Sequence, residues 1–175
     1  MIDGIVVRES LPSDIASIET LYADAFPEED LRPLVRELLS QEPMVLSLVG
    51  HAHRALVGHV IFSACGIVGR SDRVALLGPL AVAPNAQRRG LGGALLQDGL
   101  ERLKRDDVIQ VYVLGDPGYY GRFGFQPETG AMPPYPLPEE YNGAWQSIRL
   151  RVDKPLPSGT LSLPPSWLRP ALWAP

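Results

Sequence analysis

"VAPNAQRRGLGGALL", Val82 to Leu96, places three glycines and two arginines at the start of an otherwise amphipathic helical pattern. Glycine in a helix interior costs about 1 kcal/mol relative to alanine, so Gly90, Gly92 and Gly93 in the first turns need a reason. Lacking a Cβ, glycine lets another group come close to the backbone. The first amides of a helix have no partner within it, and the helix dipole puts partial positive charge at the same place. A strand ending near Pro84 and feeding such a helix mouth makes an anion site suited to phosphate or pyrophosphate, with Arg88 and Arg89 adding charge. Tight packing of the helix on a sheet is the competing explanation. It accounts for one glycine well and for three poorly.

Two common phosphate signatures fail at this stretch. A Walker loop ends in Gly-Lys-Ser/Thr, and there is no lysine here. The dinucleotide fingerprint G-x-G-x-x-G needs a third glycine where Leu95 stands, and it opens near a first strand rather than in mid-chain.

Outward from the glycines the chain alternates. "GIVVRES" predicts a short strand. "LPSDIASIETLYADAF" predicts a helix with Pro12 in its first turn and Ile15, Ile18, Leu21, Tyr22 and Ala25 on one face. "EEDLRPLVRELLS" repeats that pattern with an interruption at Pro33, and three strand-like runs follow: "MVLSLVG", "ALVGHVIFSAC" and "RVALLGPLAVAP". Beyond the glycine-mouthed helix, "DDVIQVYVLG" reads as a strand covered on both faces, and "DPGYYGRFGF" as a short helix entering another strand. Eleven of the 18 prolines lie between Pro127 and Pro175. That density precludes long helices and predicts a C-terminal wrap with one strand, "GAWQSIRLRVD", and a partly irregular tail. There is no internal repeat.

The 175 residues suit one domain, and 45% apolar with 21% charged residues is a globular balance. The formal charge of −4 argues against nucleic acid as the main partner. No apolar run approaches a membrane span. The single cysteine, Cys65, cannot form an internal disulfide, and the N-terminal residues lack the basic and apolar regions of a signal peptide. These features predict a cytoplasmic protein. His51 and His53 form an H-x-H pair with His59 close behind, but together with Cys65 they do not make a convincing zinc set. No metal is expected.

A third phosphate signature does fit. "QRRGLG", Gln87 to Gly92, matches the Q/R-x-x-G-x-G/A motif of the GNAT superfamily of acetyl-CoA-dependent N-acetyltransferases, and "YGRFGF" resembles its later Y-x-x-x-G-F signature. In pattern the chain resembles that superfamily from residue 5 to 126, and in its "LGPLAV" and "PPYPLPEEY" segments it is similar to a bacterial subgroup of unassigned substrate. The resemblance implies an α/β (α+β) fold with a central mixed, mostly antiparallel twisted sheet flanked by helices. It also implies a V-shaped splay between the fourth and fifth strands. Residues 1–152 would form the acetyltransferase domain, and residues 153–175 a proline-rich tail packed on it or extending it.

The resemblance also implies roles. Acetyl-CoA would be the cosubstrate. Gln87, Arg88, Arg89, Gly90, Leu91, Gly92 and Gly93 would hold its pyrophosphate, and Leu80, Ala81 and Val82 would pair with the pantetheine arm. Gly78-Pro79 suits the departure of that strand from its neighbour, since glycine marks bulges and proline cannot donate to a ladder. An amide near Leu80 would polarise the thioester carbonyl. Tyr120 takes the position of the general acid that protonates the departing thiolate, while Tyr119 is read as packing. Many relatives carry an asparagine where Asp116 stands, so a contact from that side chain to the cofactor depends on the replacement. Glu29, beside Glu28 and Asp30 at a helix junction, is the candidate base. The acceptor would be a primary amine of a small molecule or a peptide. A homodimer is expected, with Trp145, Trp167 and Trp173 covering a sheet edge or pairing with a second subunit. The rival reading is an acetyl-CoA sensor or interaction module of the same fold, without turnover.

Overall fold

β-Branched and leucine-rich runs become strands, and the 3.6-residue apolar patterns become helices. The computed structural model describes residues 4–41 and 45–173. Its elements in chain order are β1 (Val6–Glu9), α1 (Ile15–Ala25), α2 (Arg32–Leu39), β2 (Val45–Ala52), β3 (Ala55–Ile67), β4 (Val74–Val82), α3 (Leu91–Arg105), β5 (Gln110–Leu114), α4 (Pro117–Tyr120), β6 (Gln126–Pro127), β7 (Ala131–Met132), β8 (Trp145–Arg149) and β9 (Gly159–Ser162). Met44, at the head of the second predicted strand, lies outside the described residues. Hydrogen bonding orders the strands β1-β2-β3-β4-β5-β8-β6, with β9 pairing β3 and β7. The sheet is mixed and mostly antiparallel: β1–β2, β3–β9, β5–β8 and β6–β8 are antiparallel, and β4–β5 and β7–β9 are parallel. The β4–β5 ladder covers Val74–Leu76 against Gln110–Tyr112, although β4 itself continues to Val82.

The chain gathers into two units, Met1–Phe62 with Gly78–Glu101, and Ser63–Leu77 with Arg102–Pro175. In the first, Ile18, Leu21 and Tyr22 of α1 and Leu34, Val35 and Leu38 of α2 are buried. Ile15, expected on that face, is 39% exposed at the first position of α1, just after the 3-10 turn Pro12–Asp14. Pro33 does not interrupt α2. It stands in the first turn, where its missing N–H would have had no partner in any case. The hairpin between β2 and β3 turns on His53 and Arg54, both with positive φ (51° and 69°), the geometry of a tight two-residue connection.

In the second unit Tyr112 of β5 stacks on Trp145 of β8, with ring centroids 5.6 Å apart and planes 10° from parallel. Trp145 meets Trp173 edge-on at 5.8 Å, and Trp173 meets Trp167 at 6.2 Å. Each indole N–H has an acceptor: Trp145 donates to Ala131 O (2.9 Å), Trp167 to Ser63 Oγ (3.1 Å) and Trp173 to Trp167 O (2.9 Å). The three tryptophans are thus buried within one chain and give no surface to a second subunit, a correction to the basis of the dimer expectation. The tail is also more ordered than its prolines suggest. It carries β9, and short 3-10 turns at Pro165–Trp167 and Pro170–Leu172 deliver Trp167 and Trp173 to this core.

Candidate active site

In the first unit β4 ends at Val82, and Pro84–Ala86 forms a 3-10 turn. The Gln87 side chain donates to Val82 O at 3.1 Å, closing the strand end onto the turn. Arg88 and Gly90 then adopt left-handed backbone, φ 64° and 87°. Left-handed residues in such a turn bend successive N–H groups toward a common concave face, which binds anions. Gly90 precedes α3, and its carbonyl accepts Ala94 N at 3.0 Å. The amides of Leu91, Gly92 and Gly93 therefore come before any intrahelical partner. Gln87 to Gly90 are exposed, while the Leu91 and Leu95 side chains are fully buried. Those leucines hold the helix against β2 and β3, where a Cβ on Gly50 or Gly58 would come within 2.8 Å or 2.9 Å of them. The glycines within and before α3 differ accordingly. Gly90 is required by its φ, whereas Gly92 is buried in the first turn.

Gly78–Val82 leads into this turn. Leu80 and Val82 are half-buried, and the Ala81 side chain is buried. Pro79 O accepts from the Tyr22 hydroxyl at 3.3 Å. Tyr22 Oη is 2.8 Å from His59 Nδ1, His59 Nε2 is 2.8 Å from Ser47 Oγ, and the Ser10 hydroxyl donates to Ser47 Oγ at 2.7 Å. Burial pushes the His59 pKa down to about 3, against a smaller opposing pull from Asp14, so the imidazole is neutral. The helical pattern of the sequence marks Tyr22 as a core aromatic, and His59 stands out there only as a weak metal ligand. The available signal was a histidine inside the apolar run "VGHVIF".

In the second unit β5 ends at Leu114, and Asp116 caps α4 by accepting Gly118 N at 2.9 Å. The cap uses Oδ1 of the exposed Asp116 side chain. Its backbone carbonyl accepts Tyr120 N at 3.0 Å. The half-buried Tyr120 ring meets Tyr119 edge-on at 5.0 Å and Phe125 at 5.6 Å. Burial, and secondarily Tyr119 and Asp116, raise its pKa, so the phenol keeps its proton through neutral pH. The Tyr119 ring lies under the Arg122 guanidinium at 4.9 Å, in keeping with a packing role. A cavity of about 520 Å³ in this unit, bordered by Gln110, Glu128, Ser147 and Arg149, contains none of the predicted residues.

Glu28 and Glu29 are exposed in the turn between α1 and α2, and Asp30 is paired with Arg32 at 2.8 Å. His51 is on β2, His53 is in the hairpin turn and His59 is inside β3. Among the described residues no group of three or more His, Cys, Asp and Glu side chains is placed to hold a metal ion. Among the same residues no helix is long and apolar enough to cross a membrane.

The model of the acetyltransferase (GNAT) family matches residues 15–125, a span that holds the glycine-lined turn, Asp116 and Tyr120. The chain belongs to the GNAT family. It is 37% identical over 145 residues to the uncharacterized N-acetyltransferase YjhQ of Escherichia coli K12, covering 80% of each chain. It is 30% identical over 123 residues to YhbS of the same organism, covering 70% of this chain and 74% of that one. Among solved GNAT structures, E. coli YhbS in complex with CoA superposes with a TM-score of 0.84 at 27% identity, covering 94% of this chain and 92% of the other. A Brucella melitensis GNAT acetyltransferase in complex with acetyl-CoA gives 0.75 at 27% identity, covering 93% and 97%.

Proposed function

We propose that this GNAT chain binds acetyl-CoA and transfers its acetyl group to a primary amine by direct attack. The observation that carries the reading is the concave turn from Gln87 to Gly93, with left-handed backbone at Arg88 and Gly90 opening onto unpartnered helix amides. Those amides bind the pyrophosphate, and the backbone of Leu80–Val82 pairs with the pantetheine arm. The thioester carbonyl takes the Leu80 amide. An amine near pKa 10.4 arrives protonated at neutral pH and must lose a proton before it attacks. Glu29, exposed to solvent, is the carboxylate assigned to accept it. The amine nitrogen then bonds to the carbonyl carbon, the carbon–sulfur bond breaks, the Tyr120 proton passes to the leaving thiolate, and the second proton shed by the nitrogen returns through solvent to the Tyr120 oxygen. Asp116, which caps α4 through Oδ1, is assigned to the cofactor through its remaining carboxylate oxygen. The reading includes a cytoplasmic location and a homodimer whose face is built from residues other than the three tryptophans. A monomer mass in light scattering at tens of micromolar removes the dimer.

Calorimetry with acetyl-CoA and a thiol-release assay across small amines and amine-terminal peptides test the proposal. Binding together with acceptor-dependent thiol release supports an enzyme. Binding with no thiol release across the panel identifies an acetyl-CoA sensor instead, and no binding overturns both.

A further inference from the structure

Tyr22, His59, Ser47 and Ser10 form a line of hydrogen bonds through the interior of the first unit, and one end of the line rests on the carbonyl of Pro79. We propose that this line is a positioning device for acetyl transfer: by fixing the Pro79 carbonyl it aims the Leu80 amide at the thioester. The proposal rests on the reading of Leu80 as the amide that polarises the thioester carbonyl.

The hydrogens along the line can be assigned without conflict. The Ser10 hydroxyl donates to Ser47 Oγ at 2.7 Å, which leaves the Ser47 hydrogen for His59 Nε2 at 2.8 Å. The neutral imidazole then carries its one N–H on Nδ1 and donates to Tyr22 Oη at 2.8 Å. The Tyr22 hydroxyl, accepting there, directs its own hydrogen to Pro79 O at 3.3 Å. Every member has a partner, and the central three are sealed from solvent: Tyr22 is 1% exposed, His59 0% and Ser47 5%. The Tyr22 ring is further held by His59 edge-on at 5.5 Å and by Phe26 stacked at 6.0 Å.

Burying polar groups is costly when any one of them loses its partner, about 1–3 kcal/mol for each unsatisfied group. Apolar side chains of similar volume would fill the same space without that liability, so stability alone does not account for a polar line here. What the line reaches is informative. Pro79 O and Leu80 N–H lie in one peptide plane and point in opposite directions within it. A hydroxyl held on the carbonyl oxygen therefore sets the direction of the N–H. At Pro79 the backbone can offer no N–H of its own to a neighbouring strand, so a side chain from α1 supplies part of the restraint that a ladder would otherwise give.

The test reads the direction of the amide rather than turnover alone. Acetyl-CoA labelled with carbon-13 at the thioester carbonyl is bound to the parent, Tyr22→Phe, His59→Leu and His59→Asn proteins, and its carbonyl stretch is recorded by isotope-edited infrared spectroscopy. A hydrogen bond from Leu80 lowers that stretch in the parent relative to free acetyl-CoA. In Tyr22→Phe and His59→Leu the stretch returns at least half-way to the free value while affinity stays within about threefold and kcat falls roughly tenfold. His59→Asn, which keeps a donor near the Nδ1 position, retains most of the parent shift. If Tyr22→Phe does not fold, Ser47→Ala is read in the same way. A stretch unchanged in the variants overturns the positioning role, whatever happens to their melting temperatures. No shift in the parent overturns the Leu80 assignment and this proposal with it. Failure of the parent to bind acetyl-CoA overturns the proposed function itself.

Discussion

Gly115 lies directly against the ring of Tyr120: the Cβ it lacks would fall 2.4 Å from Cε2 and 3.0 Å from Cδ2 of that ring. The backbone there is poorly placed to yield. Gly115 N donates to Ala144 O at 2.9 Å, and its carbonyl accepts from the buried Gln146 side chain at 3.0 Å. A methyl group at this position must therefore move the phenol. Gly115→Ala should lower kcat by about tenfold or more, since an ångström of misplacement in a reacting group can cost as much as about 100-fold. In a Tyr120→Phe background the same change should cost almost nothing further, because the hydroxyl it misplaces is gone. A double-mutant cycle on kcat, with melting curves for each protein, measures this. Additive losses would mean that Gly115 matters only for folding.

Tyr120→Phe removes one hydroxyl and almost no volume, so the fold and acetyl-CoA affinity should persist. General acid catalysis is typically worth about 10²- to 10⁴-fold, and turnover should fall within that range. Loss of an interaction made only in the transition state lowers kcat and kcat/KM together. A variant within about twofold of the parent, less than 0.5 kcal/mol, would make Tyr120 a packing residue.

Gly90→Asp tests the anion site in two ways at once. The residue sits at φ 87°, where a side chain costs roughly 1–2 kcal/mol, and the new carboxylate repels phosphate. Acetyl-CoA affinity should fall by at least about 100-fold, close to 2.7 kcal/mol. Gly90→Asn is the control for strain, because asparagine tolerates left-handed backbone and carries no charge, and it should lose much less. Equal affinities of Gly90→Asp and the parent in calorimetry would remove the pyrophosphate from this turn.

His59 makes folding stability depend on pH. Its pKa is pushed down to about 3 in the folded chain, against about 6.5 when unfolded. Below that unfolded value the unfolded chain binds a proton that the folded one refuses, so stability falls as pH drops from 6.5 toward 3. Between pH 7.5 and 5.5 the loss from this group should be about 1.4 kcal/mol. Urea midpoints at the two pH values measure it, and the pH-dependent part should disappear in His59→Asn.

Much of the turn from Gln87 to Gly93 was legible because its chemistry is local. Whether an amide at a helix mouth is free, and whether glycine is needed there, depends on a few consecutive residues from Gln87 to Gly93. The short helix that carries Tyr120 was legible for the same reason, since Pro117 starts it and Gly124, at φ 99°, ends the 3-10 turn Gly121–Phe123 that continues from it. Alternating and continuous apolar runs marked β1 to β5 and β8 through the periodicity of their burial. Pro33 does not interrupt α2 as its place in the pattern suggests, because proline breaks a helix only after its first turn and composition does not show where that turn begins.

The sequence by itself determined the order of the main elements, the family, and the glycine-rich turn that opens α3, because each follows from neighbouring residues. Only the tertiary structure decided that the proline-rich tail adds β9 and buries Trp167 and Trp173, that Gly115 shapes the seat of Tyr120, and that His59 connects Ser47 to Tyr22. Those contacts join residues as far apart in the chain as Ser63 and Trp167, or Tyr22 and Pro79. Hydropathy and spacing cannot foresee such pairings, because a buried polar group takes its meaning from the partner that folding brings to it.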